Sequence, residues 1–454
     1  MTFQTARNIA ADVQTQAKSA VAVAQEALDH AAAMNPKLNA LTCLNPKALS
    51  DARSIDVRVA SGEMLPLAGV PIVIKDNIWV KDLNITNGSR LYADFVAPED
   101  AIAVARLRAA GALILGIGTC SEFACKGLTN TPLHGITRHP ANHNLTPGGS
   151  SGGPAVAVAA GIVAVAIGTD AGGSSRRPPA HVGVVGFKPS QDAIPYGPGF
   201  QEPVWGISTI CPITHDVMDA ALIYEVLSRT QNTATLPRNA RFAYAPDMGL
   251  GGAVDPDVAQ ACDAAVAALA EVATIAKAAP KWSADCLPAS IMPLQFAGLA
   301  ALYGDQWRAQ PDQFDPDIGA QIEKGLALTG VDVAHALQAS QAMRVTLQTF
   351  LPDSDFLITP TTPCPAWPVS QLGPTTIGGA PASSRDHAAF TPQANHAGVP
   401  AISIPCGFTK QNLPVGLQII GSAGSDATLL LAAHHFETAL RNAGLTQVDA
   451  KAIA

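Results

Sequence analysis

Two glycine turns bearing serines, and one lysine, stand out in this chain as groups able to open a carbonyl. Thr146 to Gly153 reads TPGGSSGG, and Gly168 to Arg177 reads GTDAGGSSRR. A serine hydroxyl attacks only with a base in hydrogen-bond reach and donors where the oxyanion will form. In the second turn, Gly172-Gly173-Ser174 presents a hydroxyl directly after an apolar run. Consecutive N–H groups of such a turn converge on one point, a nest suited to an oxyanion. The first turn has competing readings. It is poorly placed for a linker and lacks the Lys-Ser/Thr of a phosphate loop. Gly148-Gly149-Ser150-Ser151-Gly152 formally fits G-x-S-x-G, but the preceding Arg138 to Leu145 is polar where an elbow needs a strand. Read alone, it is as well explained by a structural turn as by a functional loop.

The base is open between histidine and lysine. Of eleven histidines, His134, His139, His143 and His181 lie near the serine loops, while His335, His434 and His435 read as surface or packing residues. Lys75 leaves the end of an apolar run, where burial would lower its pKa and free a neutral amine. A lysine at such a place more often simply ends a strand in solvent.

These groups need elements to hold them. The opening stretch to about residue 60 reads as helices. Short buried strands are expected over 70–74, 112–115, 162–167, 182–187, 356–359, 401–404 and 415–420. Asp100 is placed to cap a helix through Ala110, and Asp255-Pro256-Asp257 starts another. A closing helix is expected over 426–443. Helix, turn and strand joined by short connections make an α/β protein. The expected organisation is one domain over 1–454, with N-terminal helices over 1–60, a core over about 60–237 and 351–443, and a helical insertion over about 238–350.

Composition excludes several classes. The chain has 454 residues, 48% of them apolar and only 14% charged, with a net charge of −8. That is too apolar for disorder and too acidic for non-specific binding to nucleic acid or anionic membrane. The longest charge-free apolar run, Ala155 to Gly168, falls short of the ~20 residues a bilayer core demands. The N-terminus lacks the compact apolar block of a secretion signal. The eight cysteines have no spacing that suits a zinc site or a disulfide framework. A cytoplasmic protein with reduced thiols is expected, without metal or cofactor.

Val70 to Asp76 (VPIVIKD), the TPGGSSGG loop and GTDAGGSSRRPPAHVGVVGFKPS together resemble the amidase signature family. The likeness extends to Arg106–Ala124, Asp355–Pro365 and Phe390–Gly421, covering nearly the whole chain. It implies an α/β/α sandwich around a mixed, twisted sheet, and amide hydrolysis by a Ser–Ser–Lys triad without a metal. Carried over by motif, Ser174 is the nucleophile, Ser150 the relay serine behind a cis Gly149–Ser150 bond, and Lys75 the base. The N–H groups of Ala171, Gly172, Gly173 and Ser174 would form the oxyanion hole. Arg176 falls at the family's arginine and would brace the turn against a carboxylate such as Asp170.

Departures from the family pattern bear on substrate. Ser175 and Arg177 replace aliphatic residues, His181 an aromatic one, and Cys211 a glycine. Ile117 stands where relatives often carry lysine, and 190–198 lacks a common Gly-Arg pair. Arg177, if it reaches the pocket, would favour a carboxylate-bearing substrate, and Gly149 and Ser151 are further candidate substrate contacts. The stretch from Pro195 to Trp205 would suit a lip over an apolar group. The expected activity is hydrolysis of small linear amides, with carbamates and esters as further substrates, by a monomer or homodimer. The alternatives are a component of a tRNA-dependent amidotransferase and an α/β-hydrolase-like esterase with a histidine base.

Overall fold

Short runs rich in Val, Ile and Leu, buried on both faces, build one large sheet. The computed structural model describes residues 4–446 apart from 205, 232, 238, 285, 353 and 354. Eleven strands form the main sheet: β1 (Leu41–Leu44), β2 (Pro71–Lys75), β3 (Leu113–Gly118), β4 (Val165–Asp170), β5 (Val185–Lys188), β6 (Thr209–Thr214), β7 (Phe242–Tyr244), β8 (Ile275–Lys277), β9 (Phe356–Pro360), β10 (Ala401–Phe408) and β11 (Pro414–Gly421). Their spatial order is β1-β3-β2-β4-β6-β5-β10-β11-β9-β7-β8. β2 runs parallel to both β3 and β4, and β9–β7–β8 are parallel; the remaining neighbours are antiparallel. The sheet is therefore mixed.

Side chains alternate between two apolar layers, as the period of a strand requires. Ile72, Ile74, Val165 and Ile167 pack in one cluster with helices Ala6–Gln14, Ala48–Ala60, Ile102–Ala109 and Val217–Ser228. Val73, Leu115 and Ala166 point the other way, into a cluster with helices Ala20–Leu38 and Gly152–Ala159. Helices thus cover both faces of the sheet. Because both faces are buried, the strands read as unbroken apolar runs rather than alternating ones.

Four placements differ from the sequence reading. The stretch to about residue 60 is not all helix, since β1 (Leu41–Leu44) lies between helices Ala20–Leu38 and Ala48–Ala60 and pairs with β3. The strands expected over 162–167 and 182–187 begin three residues later, at Val165 and Val185, because helices Gly152–Ala159 and Arg177–Val182 precede them. An apolar run buried on every side carries no period that separates helix from strand. The later start carries β4 out to Thr169 and Asp170, the polar residues that organise the site. Asp100 does not cap its helix, whose N-cap is Ala101; its carboxylate instead accepts from Lys81 N–H and Arg108 Nε. The stretch 238–350 is not uniformly helical, since β7 and β8 extend the main sheet and flank helix Pro256–Leu269. Strands of three residues leave no periodic signal. Helices Pro288–Ala309, Pro316–Ala327 and Gly330–Phe350 follow. Trp205 and Arg238, which bound two of the expectations, lie outside the described residues.

All eight cysteines are free thiols. Among the described residues, no helix is long and apolar enough to cross a membrane.

Candidate active site

Lys75 ends β2 between two parallel neighbours and is fully buried. Its Nζ donates to Ser150 Oγ at 2.8 Å and to Thr169 Oγ1 at 2.8 Å. Among the described residues it forms no ion pair. Burial without a counter-charge disfavours the ammonium, so the lysine pKa falls below its ordinary 10.5. The Asn77 amide also donates to Thr169 Oγ1, at 3.0 Å, and holds that hydroxyl in place.

The two serine loops meet over the end of β4. The Gly149–Ser150 peptide bond is cis. Ser151 N–H donates to the Ser174 carbonyl, and Ser151 Oγ lies 3.2 Å from Ser175 Oγ and 3.2 Å from the Thr169 carbonyl oxygen. Gly168 makes this approach possible. A Cβ there would lie 2.4 Å from Ser175 Oγ and 2.9 Å from Ser151 Oγ. Ser150 is sealed from solvent, whereas Ser174 opens onto a cavity of about 700 Å³.

The turn carrying Ser174 is braced from beneath by Asp170. Its carboxylate accepts from Gly173 N–H (2.6 Å), Ser175 N–H (3.1 Å), Arg176 Nε and Nη2 (each 3.0 Å) and the Asn395 amide (2.8 Å). Burial alone would raise the Asp170 pKa, but the Arg176 charge and these donors hold it well below the usual carboxylate range. Arg176, fully buried, also donates to Gln418 Oε1, Asn395 Oδ1 and the Thr391 carbonyl. It is the brace that the resemblance implied.

Ala171, Gly172 and Ser174 line the cavity, and their N–H groups have no acceptor among the described residues. Gly173 departs from the expected four-donor set. Its N–H is committed to Asp170, and its φ of +108° leaves a Cβ no room, 2.1 Å from Thr391 Oγ1. The turn therefore offers three donors, with the fourth spent on holding its shape.

Arg177 lines the cavity, but Gly149 and Ser151, expected as substrate contacts, do not. Ser151 turns its hydroxyl inward to Thr169 and Ser175. Gly149 packs against the Leu128 backbone, and its carbonyl accepts from Arg177 Nη2 at 3.2 Å. No histidine hydrogen-bonds either Ser150 or Ser174 among the described residues. His139 Nε2 meets the His181 carbonyl, His134 meets Thr86 Oγ1, and His143 is exposed. Burial pushes His139 down to about 4 and His181 down to about 3.

Helix Pro288–Ala309 supplies one wall of the cavity through Ile291, Met292, Gln295 and Phe296, which gives the helical stretch a part in shaping the site. In the stretch expected to form a lip, Val204 lines the cavity. Phe200 instead packs among Trp79, Tyr92 and Phe95. Sequence reasoning missed Thr169 and Arg385. A polar residue ending an apolar strand was the available signal for Thr169; Arg385 sits in a loop with none. Among the described residues, no three His, Cys, Asp or Glu side chains are grouped to hold a metal ion.

A mixed sheet sandwiched by helices, with a buried lysine behind two serine turns, is the architecture of an amidohydrolase. The Amidase family model matches residues 22–430, and the chain belongs to that family, whose members are hydrolases of C–N bonds. Among curated relatives, an acylamidase of Rhodococcus erythropolis is 34% identical over 95% of this chain and 94% of its own. The A-type component of the glutamyl-tRNA(Gln) amidotransferase of Koribacter versatilis is 31% identical over 94% of this chain and 96% of its own. A crystal structure of an amidase superposes with a TM-score of 0.88 at 28% identity, covering 97% of this chain and all (100%) of that one.

Proposed function

We propose that this protein hydrolyses small linear amides through an acyl-enzyme, with Ser174 as nucleophile, Ser150 as relay and Lys75 as base. The observation that carries the reading is the 2.8 Å contact between Ser150 Oγ and a buried Lys75 that forms no ion pair among the described residues. A neutral lysine amine takes the Ser150 proton, Ser150 takes the Ser174 proton, and Ser174 Oγ attacks the carbonyl carbon. The N–H groups of Ala171, Gly172 and Ser174 receive the developing oxyanion. When the tetrahedral intermediate collapses, the C–N bond breaks and the amine leaves with a proton returned through Ser150. Water then attacks the acyl-enzyme by the same relay and frees Ser174. Amide cleavage depends on the returned proton because an amine anion is a very poor leaving group.

A cavity of about 700 Å³ lined mainly by apolar side chains suits an aryl or alkyl amide. The likeness to an acylamidase supports the same class. A second reading, a component of an amidotransferase, is favoured by the comparable identity to the glutamyl-tRNA(Gln) amidotransferase relative. The deciding experiment assays the purified chain alone on anilides, aliphatic amides, carbamates and esters, with Ser174→Ala as control. Turnover of an anilide that Ser174→Ala abolishes supports the stand-alone enzyme. Inactivity on every amide, with glutamine hydrolysis appearing only when companion chains are added, assigns it to the amidotransferases.

A further inference from the structure

Around Ser174 the protein buries positive charge that it does not neutralise. Arg177 is only 6% exposed, yet forms no ion pair with a carboxylate among the described residues. Its Nη2 donates to the Gly149 carbonyl, and its Nε is buried without any partner. Arg385, half-buried, likewise has no carboxylate partner among the described residues, and its Nη2 donates to the Cys125 carbonyl at 3.1 Å. Both residues line the cavity that Ala171, Gly172 and Ser174 border.

The cavity wall carries two other charged groups. Lys126 is paired with Asp315, and Asp386 accepts from Ser383 N–H (2.7 Å) and Oγ (2.6 Å). Asp170 attracts Arg177 from a distance, but its carboxylate is saturated by Arg176, Asn395 and the turn. Nearby, His181 Nε2 and both ring nitrogens of His387 are buried without partners, and burial keeps both rings neutral. Burial, with the repulsion of Arg385 added, pushes the Arg177 pKa down to about 9. A buried charge left unpaired is destabilising in ordinary circumstances. The buried Arg177, with the half-buried Arg385 at the same cavity, would be met by an anion arriving from outside.

Building on the amidohydrolase reading, we propose that Arg177 and Arg385 form a carboxylate-binding subsite, so that the preferred amide carries a carboxylate a few bonds from the scissile carbonyl. Guanidinium forks match a flat carboxylate through paired N–H···O bonds.

The test compares succinanilate with 4-methylpentananilide, its uncharged isostere, in the wild type, Arg385→Gln and Arg177→Gln. The kcat/KM ratio of acid to neutral anilide is expected to fall at least tenfold in each variant, chiefly through KM. Labelling of Ser174 by a fluorophosphonate reports that each variant keeps a competent site. Calorimetry with succinate should show binding to the wild type that weakens at least tenfold in Arg385→Gln. An unchanged ratio in both variants, or no succinate binding to the wild type, overturns the subsite. If neither anilide is turned over and Ser174 resists labelling, the amidohydrolase reading falls instead, and succinate binding still decides the subsite.

Discussion

Thr169 Oγ1 lies 2.8 Å from Lys75 Nζ, the same distance as Ser150 Oγ on the other side of the amine. The lysine amine thus contacts both hydroxyls, that of the proposed relay serine and that of a threonine fixed by Asn77. Thr169→Val keeps the shape and removes the second. Losing one buried hydrogen bond of ~1 kcal/mol lowers kcat on an anilide roughly five- to tenfold, with little change in KM. A change confined to KM would dismiss Thr169 as a positioning residue.

Removing the amine has a larger effect. Lys75→Ala is expected to lower amide turnover roughly 10²–10⁴-fold, the range of general base catalysis. Single alanine changes at His134, His139, His143 and His181 should retain most activity per mole of folded enzyme. Near-complete loss at one histidine, with Lys75→Ala active, would restore the histidine-based esterase.

The pH profile follows from the same burial. Protonated Lys75 cannot accept the Ser150 proton, so kcat should fall as pH drops through the Lys75 pKa. Because burial lowers that pKa below 10.5, the inflection should lie below the lysine range. It should vanish from the residual activity of Lys75→Ala.

The serines separate by chemistry. Ser174→Ala should lose both turnover and fluorophosphonate labelling, since the attacking oxygen is gone. Ser150→Ala should be badly impaired on amides and retain more activity on esters, whose leaving group needs less help. Ser151→Ala should still be labelled at Ser174, and should unfold more easily through its lost contacts to Thr169 and Ser175. Full activity in Ser174→Ala would refute the assignment.

Arg176 and Asp170 make a fully buried pair, and removing one partner strands the other. Arg176→Met is expected to destabilise the protein by about 3–5 kcal/mol, read from denaturant unfolding. The Asp170 pKa is depressed in the folded protein. Its contribution is therefore complete above the unfolded carboxylate pKa of about 4 and fades as pH falls below it. An unchanged denaturation midpoint in Arg176→Met would show that Asn395 and the backbone donors hold Asp170 unaided.

The sequence by itself determined the class. It did so through the likeness of VPIVIKD, TPGGSSGG and GTDAGGSSRR, in that order, to one family, whereas residue types alone left the base open between histidine and lysine. The buried strands were legible because a sheet covered on both faces needs unbroken apolar runs. Strand starts slipped by three residues at Val165 and Val185 for the same reason, since such runs carry no period. Only the tertiary structure decided which donors remain for an oxyanion, because Gly173 N–H is claimed by Asp170. It also separated Arg176 from Arg177. The two are adjacent in the chain, but one closes on a buried carboxylate while the other lines a cavity and pairs with no carboxylate among the described residues. Arg385 reaches that cavity from a loop more than two hundred residues away in sequence. Charge compensation is a property of what the fold brings into contact, and neighbouring residue letters do not reveal it.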